Sequence, residues 1–296
     1  MEERDPIMKY MIGVDIGTTS TKSVLYDENG QFIMKHNIGY DLHTPNVDVS
    51  EENPDDLFDA VLMTVKYIVR ESGISKEDIK LISFCAQMDS LVAMDAQNQQ
   101  LTENITWADN RSSRYADLIE NEYNGFEIYQ RTGTPLHPMS PLSKIFWMKH
   151  EQPAIYNQTA KFADIKTYIF YQLFDKYVID YSMASATGMF NLEQLDWDEK
   201  ALKLLGISRD QLPELVPTTH ILTGMKKRFA ELMDIDENTP VVVGASDGVL
   251  SNLGVNSYKK GEVAVTIGTS GAIRTVINKP RTDYKGRIFC YVLDDE

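Results

Sequence analysis

The sequence has few cysteines, no excess of positive charge and no long apolar run. Only two of its 296 residues are cysteines, and we expect Cys85, in the apolar run 81–86, to be a buried reduced thiol. The net charge of −15 argues against nucleic acid or an anionic membrane as a partner, since both require a basic face. No run approaches the roughly 20 apolar residues of a membrane helix, and the polar N-terminus is unlike a signal peptide. These absences predict a cytoplasmic protein.

Three familiar motifs are also absent. The sequence contains neither the Gly-x-x-x-x-Gly-Lys-[Ser/Thr] P-loop nor the Gly-x-Gly-x-x-Gly fingerprint of dinucleotide sites. No cluster of cysteine and histidine has the spacing of metal ligands. A bound nucleotide would therefore be held by a different kind of loop.

Two similar turns lie near the two ends of the chain, at residues 15–20 and 266–271. Each follows one apolar run and precedes another, which predicts strand, turn and strand. Glycine lets a backbone approach a ligand closely, and the hydroxyl and N–H groups of such turns donate to phosphate oxygens. The pair predicts a phosphate chain held from both sides, with two ordinary hairpins as the alternative. The candidate residues are Gly17, Thr18, Thr19 and Ser20 in the first turn and Gly268, Thr269 and Ser270 in the second.

Two charged residues flank the first turn. Asp15 cannot bind phosphate directly because like charges repel, but it can hold Mg²⁺ through water. Lys22 is a candidate to neutralise charge on a transferring group, or else a solvated lysine of a strand.

Residues 241–250 predict a strand, a tight turn and a helix, with a Gly-x-Ser-x-Gly pattern around Ser246. A nucleophilic serine in that context needs a histidine later in the sequence, and all five histidines precede it. The next residue, Asp247, is a candidate general base for an attacking hydroxyl. Capping of the helix by Ser246 or Asp247 is the structural alternative.

Two further segments are candidates for binding a sugar or polyol. Trp107, Asp109 and Arg111 combine an aromatic surface with groups that bond hydroxyls; the alternative is a helix start with Asp109 as cap and Trp107 in the core. The second segment consists of Gln87, Met88 and Asp89. It follows an apolar strand, at the end where α/β proteins place ligands.

The overall pattern of strands and helices predicts an α/β protein. Asn53 and Pro54 mark the start of a helix that we expect to reach about residue 72, with its apolar residues on one face. We predict a first domain at 9–256, and a second that begins at 261 and is incomplete at 296, since too few residues remain for its own core.

Seven segments together resemble the FGGY family of carbohydrate kinases in the actin-like ATPase superfamily. They are residues 13–22 and 268–270 (the two phosphate motifs), 86–90 (Ala-Gln-Met-Asp-Ser), 107–111 (Trp-Ala-Asp-Asn-Arg), 141–147 (Pro-Leu-Ser-Lys-Ile-Phe-Trp), 180–185 (Asp-Tyr-Ser-Met-Ala-Ser) and 244–247 (Gly-Ala-Ser-Asp). The resemblance implies a ribonuclease-H-like fold with a mixed sheet and flanking helices. It also implies a sugar site on the first domain and transfer of the γ-phosphoryl of ATP, with Mg²⁺, to a hydroxyl that Asp247 deprotonates. A homodimer is a further expectation.

Within the family, runs 133–139 and 244–254 look most like members that phosphorylate gluconate. Xylulose or another pentulose or polyol is the alternative substrate, and a non-catalytic sugar-binding module is the alternative class. Asp89 stands where the family usually has histidine, and an anion there disfavours a substrate carboxylate unless it faces the hydroxyl end or pairs with Arg111. Family members are also longer, and the implied adenine pocket lies outside this chain.

Overall fold

The computed structural model describes residues 8–267 and 271–293. In these residues the strands are β1 (Tyr10–Ile16), β2 (Ser20–Asp27), β3 (Phe32–Gly39), β4 (Glu51–Glu52), β5 (Ile79–Ala86), β6 (Val92–Met94), β7 (Asn104–Ile105), β8 (Lys161–Ala163), β9 (Val178–Asp180), β10 (Phe190–Asn191), β11 (Asp196–Trp197), β12 (Glu214–Val216), β13 (Ile221–Leu222), β14 (Val241–Ser246), β15 (Val263–Ile267) and β16 (Gly271–Thr275). The helices are α1 (Pro54–Ser72), α2 (Ser113–Glu122), α3 (Gly125–Thr132), α4 (Pro141–Glu151), α5 (Pro153–Gln158), α6 (Ile165–Phe174), α7 (Tyr181–Ala186), α8 (Glu199–Leu205), α9 (Lys227–Met233) and α10 (Asp247–Gly254).

A six-stranded mixed sheet organises the chain, in the order β13-β14-β5-β1-β2-β3. Strands β1, β5 and β14 are parallel, whereas β2, β3 and β13 are antiparallel to their neighbours. Helix α1 contacts β1, β2 and β3, and α6 contacts β5. The α/β class with a mixed sheet and flanking helices is therefore confirmed.

Helix α1 shows why the local sequence produces these elements. The Asn53 side chain accepts a hydrogen bond from the N–H of Asp55, and Pro54 occupies the first turn, where no N–H is needed. Gly73 ends the helix with φ 68°, a left-handed conformation that costs glycine little. The face that carries Leu57 and Val61 is fully buried in the main core. The predicted helix 54–72 is confirmed at both ends.

The first turn joins β1 to β2 as an antiparallel pair, as predicted. β15 and β16 form the second predicted hairpin, but Gly268, Thr269 and Ser270 lie outside the described residues. Beyond β16 the chain contacts α7 and the residue that follows α3. The N–H of Cys290 donates to the carbonyl of Gly133, and the N–H of Val292 donates to the hydroxyl of Ser185.

Strand β14 contains an irregularity that directs its last residues. Its pairing with β5 shifts register between Val242 and Ala245. Gly244, inside the shift, has φ 70°, and a Cβ there would lie 1.9 Å from the carbonyl oxygen of Phe84. Glycine is required at this position on two grounds, the left-handed backbone and the contact with β5.

We predict that Gly244→Ala destabilises the protein by at least about 2 kcal/mol, because the methyl group overpacks against β5 and the backbone is left-handed. Denaturant unfolding of the protein with and without the substitution measures this cost. Gly13→Ala is the matched control, since a Cβ at Gly13 in β1 has no neighbour within 4 Å. Equal unfolding midpoints for Gly244→Ala and Gly13→Ala would contradict the assignment.

Candidate active site

Three parallel strands end side by side and bring separate segments of the sequence together. Asp15 of β1 is in register with Cys85 of β5, which in turn pairs with Ala245 of β14. The residues that follow these strands are the first phosphate turn, the segment 87–89 and Asp247. The structure thus places three of the predicted site segments at one edge of the sheet, where α/β proteins bind ligands.

Asp247 is the first residue of α10, and the helix cap is Ser246, whose hydroxyl accepts the N–H of Val249. The Asp247 side chain is exposed to solvent, and its Oδ1 accepts the N–H of Gly248 at 2.6 Å. Neighbouring protein atoms nevertheless surround the carboxyl group, and this burial raises the pKa of Asp247. The nearby charge of Asp15 raises that pKa further. Asp247 is free of the capping role and is a stronger base than an ordinary aspartate.

Buried polar groups hold the chain leading to Asp247. The ammonium of Lys166 forms a 2.6 Å ion pair with Asp180, and both side chains are buried. The same ammonium donates to the carbonyl of Ala245 at 3.2 Å. Ser246 is fully buried, and its hydroxyl lies 2.9 Å from that of Ser182. These contacts leave Ser246 inaccessible, which excludes it as the nucleophile of a serine hydrolase.

The first phosphate turn is closed by its own backbone, since the N–H of Gly17 donates to the carbonyl of Ser20 at 3.1 Å. The Thr18 hydroxyl donates to Oε1 of Gln87 at 3.0 Å and accepts from Nε1 of Trp107 at 2.9 Å. Its single proton is therefore already used. The side chain of Thr18 links the turn to the two candidate sugar-binding segments, whereas its backbone N–H has no hydrogen-bond partner in residues 8–267 and 271–293.

Asp15 and Lys22 form an exposed ion pair with 3.7 Å between Nζ and Oδ2. The Cys85 thiol, which is partly rather than fully buried, donates to Oδ1 of Asp15 at 3.2 Å, and its surroundings raise its pKa. Both cysteines are free.

The half-exposed carboxylate of Asp15, next to Asp247, suits a hydrated Mg²⁺, which prefers oxygen ligands and retains water. In the part of the chain that is described, no group of three or more Asp, Glu, His or Cys residues is arranged to enclose a metal.

A buried lysine ties the two candidate sugar-binding segments together. The ammonium of Lys144 donates to the backbone carbonyls of Asp89 and Thr106, the latter at 2.8 Å. Asp89 is buried with φ 62°, and its Oδ1 has no hydrogen-bond partner among the described residues. Burial raises the pKa of Asp89 and lowers that of Lys144. Asp89 therefore has a buried oxygen without a hydrogen-bond partner, which makes it a candidate acceptor for a ligand hydroxyl.

Gln87 belongs to the same network as the phosphate turn. Its Nε2 donates to Oε2 of Glu52 at 2.7 Å, and Nδ2 of Asn104 donates to the same oxygen at 2.8 Å. Burial raises the pKa of Glu52 to about 7. A chain of side chains thus runs from Glu52 through Gln87 and Thr18 to Trp107.

Trp107 is 40% exposed and Asp109 is not a helix cap, because α2 begins at Ser113. The structure thus contradicts the core-and-cap alternative. Asp109 is nevertheless buried, and it accepts from the N–H of Ser50 and from Arg111. The Arg111 guanidinium also pairs with Glu51 and lies 4.7 Å from the ring of Trp147. Of the three predicted residues, Trp107 has an exposed aromatic surface, whereas Asp109 and Arg111 form an ion pair with each other.

Two residues near the site were not predicted from the sequence, Arg274 and Tyr291. A Cβ built on Gly248 would lie 3.2 Å from Nη2 of Arg274 and 2.9 Å from Cε of Met88, so the guanidinium and Met88 both lie against Gly248. Burial raises the pKa of Tyr291, and the charges of Asp89 and Asp247 raise it further. No sequence motif marks either residue, because the folded-back segment 271–293 brings them to the site.

The model of the FGGY family of carbohydrate kinases, N-terminal domain, matches residues 10–254. The chain belongs to this family of carbohydrate kinases. Among curated relatives it is 56% identical over 287 residues to gluconokinase of Bacillus subtilis (strain 168), an alignment that covers 97% of this chain and 56% of the relative. The chain therefore spans about half the length of the curated relatives it matches.

Comparison with solved structures indicates the same family. The gluconate kinase from Lactobacillus acidophilus has a TM-score of 0.94 at 38% identity, over 97% of this chain and 58% of that one. The ligand-bound xylulose kinase from Lactobacillus acidophilus has a TM-score of 0.93 at 38% identity, with the same coverage. These likenesses confirm the expected ribonuclease-H-like, actin-like ATPase fold. Among the described residues, none of the helices is long and apolar enough to cross a membrane.

We predict that Glu52→Gln changes how stability depends on pH. The folded-state pKa of Glu52, about 7, lies above its ordinary value of 4.5, so the folded protein binds the proton more tightly. The wild type therefore loses stability as pH rises from about 4.5 to 7, by up to about 3 kcal/mol, and the variant lacks this loss. Urea unfolding at several pH values measures the difference.

Glu71→Gln is the matched control for that experiment, since Glu71 is exposed near the end of α1. It removes one carboxyl group without touching the buried network. If Glu52→Gln and Glu71→Gln gave the same pH dependence as the wild type, Glu52 would not have the raised pKa.

Proposed function

We propose that the protein is an ATP-dependent carbohydrate kinase that transfers the γ-phosphoryl group of ATP to the terminal hydroxyl of gluconate, giving 6-phosphogluconate. The observation that carries this proposal is the common edge of β1, β5 and β14. The solvent-open carboxylate of Asp247 lies near Asp15, before the first turn, and near Asp89, whose Oδ1 has no hydrogen-bond partner among the described residues, and this supports the proposal. A phosphate donor and a hydroxyl acceptor can meet there.

In this proposal Asp247 accepts the proton of the terminal hydroxyl as the oxygen attacks the γ-phosphorus roughly in line. Its raised pKa makes it a better proton acceptor, and positioned bases of this kind contribute roughly 10²–10⁴ in rate. Most of the remaining catalysis comes from orientation and electrostatics, since phosphoryl transfer leaves little covalent chemistry to the protein.

The phosphate chain is proposed to lie on the first turn, against the backbone of Gly17 and Thr18 and the groups of Thr19 and Ser20, with Lys22 offsetting charge. The second turn would grip it from the other side through Gly268, Thr269 and Ser270. Mg²⁺ held through water by Asp15 would supply neutralisation of the phosphates. Residues 261–296 are proposed as the start of the nucleotide-binding domain, whose remainder would carry the adenine pocket.

Gluconate is favoured as substrate because two curated relatives at 55–56% identity are named gluconokinase. Xylulose is the second candidate, since a solved relative at 38% identity is described as a xylulose kinase. A panel of sugars with coupled detection of ADP on the full-length protein separates them.

A non-catalytic sugar-binding module would release no ADP with any sugar, and it would need neither Asp247 nor Asp15. A homodimer and the absence of nucleic-acid and membrane partners stay predictions.

We predict that Asp247→Asn in the full-length protein lowers kcat by at least about 100-fold, because the amide cannot accept the proton. Steady-state kinetics with gluconate and ATP measure this, and calorimetry checks that gluconate still binds. Asp117→Asn is the control with the same change of charge, at an exposed position of α2. Near-normal turnover by Asp247→Asn would refute the role as general base.

The pH profile of kcat gives a second test. The base must be ionised to act, so activity should fall as pH drops through the pKa of Asp247. Since burial raises that pKa, the acid limb should lie above the ordinary range of an aspartate. An acid limb at or below that range would contradict this role.

A further inference from the structure

We propose that Arg274 is the residue that selects a carboxylate-bearing sugar, by pairing its guanidinium with the acid group of the substrate. This inference rests on the proposed function and deepens it, because it concerns the same sugar site. It also bears on the expectation that Asp89 disfavours a substrate carboxylate.

Arg274 provides a cation next to Asp247, on the side of the candidate sugar-binding segment 87–89. Burial alternates along β16, and Ala272 and Arg274 share its partly buried face. The guanidinium lies against Gly248 next to Met88, a residue of the predicted sugar segment. It is close enough to lower the pKa of Asp247, yet it is not within the 4.0 Å of an ion pair. The proposed base and the cation are therefore neighbours that do not pair with each other, and in this proposal the carbon chain of the substrate lies between them, reacted at one end and held at the other.

The other cations around the site already have partners. Arg111 is paired with both Asp109 and Glu51. Lys144 is buried and bound to backbone carbonyls, and Lys166 is paired with Asp180. None of these can take a substrate carboxylate without giving up an existing interaction.

Two further groups do not supply a cation for the sugar acid. Lys22 pairs with Asp15 on the side of the phosphate turn. Burial and the charge of Lys144 lower the pKa of His137, so this ring is neutral near pH 7. Arg274, in contrast, has no carboxylate within 4.0 Å in residues 8–267 and 271–293, and its one side-chain hydrogen bond there is a long one, 3.5 Å, to Thr266. A guanidinium in this state is suited to bidentate binding of a carboxylate.

Asp89 does not oppose this arrangement. The carboxyl group is buried, and its pKa is raised, so it carries less negative charge than an exposed aspartate. Its unsatisfied oxygen accepts hydroxyl groups of the carbon chain, whereas Arg274 holds the acid end. The site then distinguishes the two ends of a sugar acid, because Asp89 accepts hydroxyl groups and Arg274 binds the carboxylate.

The test compares gluconate with glucitol, in which CH₂OH replaces the carboxylate on the same carbon chain. Arg274→Met and Arg274→Lys are made in the full-length protein, and KM, kcat and calorimetric Kd without ATP are measured for both compounds. We expect Arg274→Met to raise KM and Kd for gluconate by about 10- to 100-fold, the effect of a lost charge-assisted hydrogen bond, and to change glucitol binding by less than about threefold. Arg274→Lys should restore part of the loss.

Arg287→Met is the matched control, because Arg287 lies in the same returning segment and pairs with Asp283 away from the site. It should leave the preference for gluconate unchanged. Retained gluconate affinity in Arg274→Met, equal losses for the two compounds, or a loss in kcat alone would each overturn the inference. A wild-type protein that binds and phosphorylates no gluconate would overturn the proposed function itself, whereas wild-type gluconate kinase activity with an unaffected Arg274→Met would overturn only the inference.

Discussion

The parallel pairing of β1, β5 and β14 is the constraint on which the candidate site depends. Because these strands are in register at their carboxyl ends, segments more than 200 residues apart in the sequence, such as Asp15 and Asp247, emerge next to each other. Gly244 sets the final direction of β14, since any larger residue would collide with the carbonyl of Phe84. A small backbone feature therefore determines where the proposed base lies.

Two buried lysines also help to position the backbone around the candidate site. Lys144 fixes the backbone at both candidate sugar-binding segments, and Lys166 fixes the carbonyl of the residue that precedes Ser246. A buried ammonium is costly unless it is paired and hydrogen-bonded, so such residues rarely add net stability. Their effect here is positional, because each ties loops at the site to helices packed in the core.

Local signals were sufficient for the fold class and for the elements that have strong caps or clear periodicity. The start of helix α1 at Asn53 and Pro54 could be predicted from the sequence, and its end near Gly73 could be predicted approximately. The short parallel pair β9 and β12 could not, since a strand of three residues has no periodicity and its partner lies far along the chain. Local sequence signals were limited in the same way at the candidate site. Asp247 and Trp107 could be proposed from motifs, whereas Arg274 depends on a folded-back segment and Lys144 contacts carbonyls 55 and 38 residues away.

The hydroxyl of Thr18 couples the first turn to the exposed indole of Trp107. Within residues 8–267 and 271–293 it is the only hydrogen-bonding link between this turn and the indole of Trp107, and it has only one proton to donate. A ligand that rotates this hydroxyl at the turn alters the support of the aromatic surface, and a ligand that displaces the indole alters the turn. By thermodynamic reciprocity, a ligand at the turn and a ligand at the indole would then change each other's affinity by the same factor.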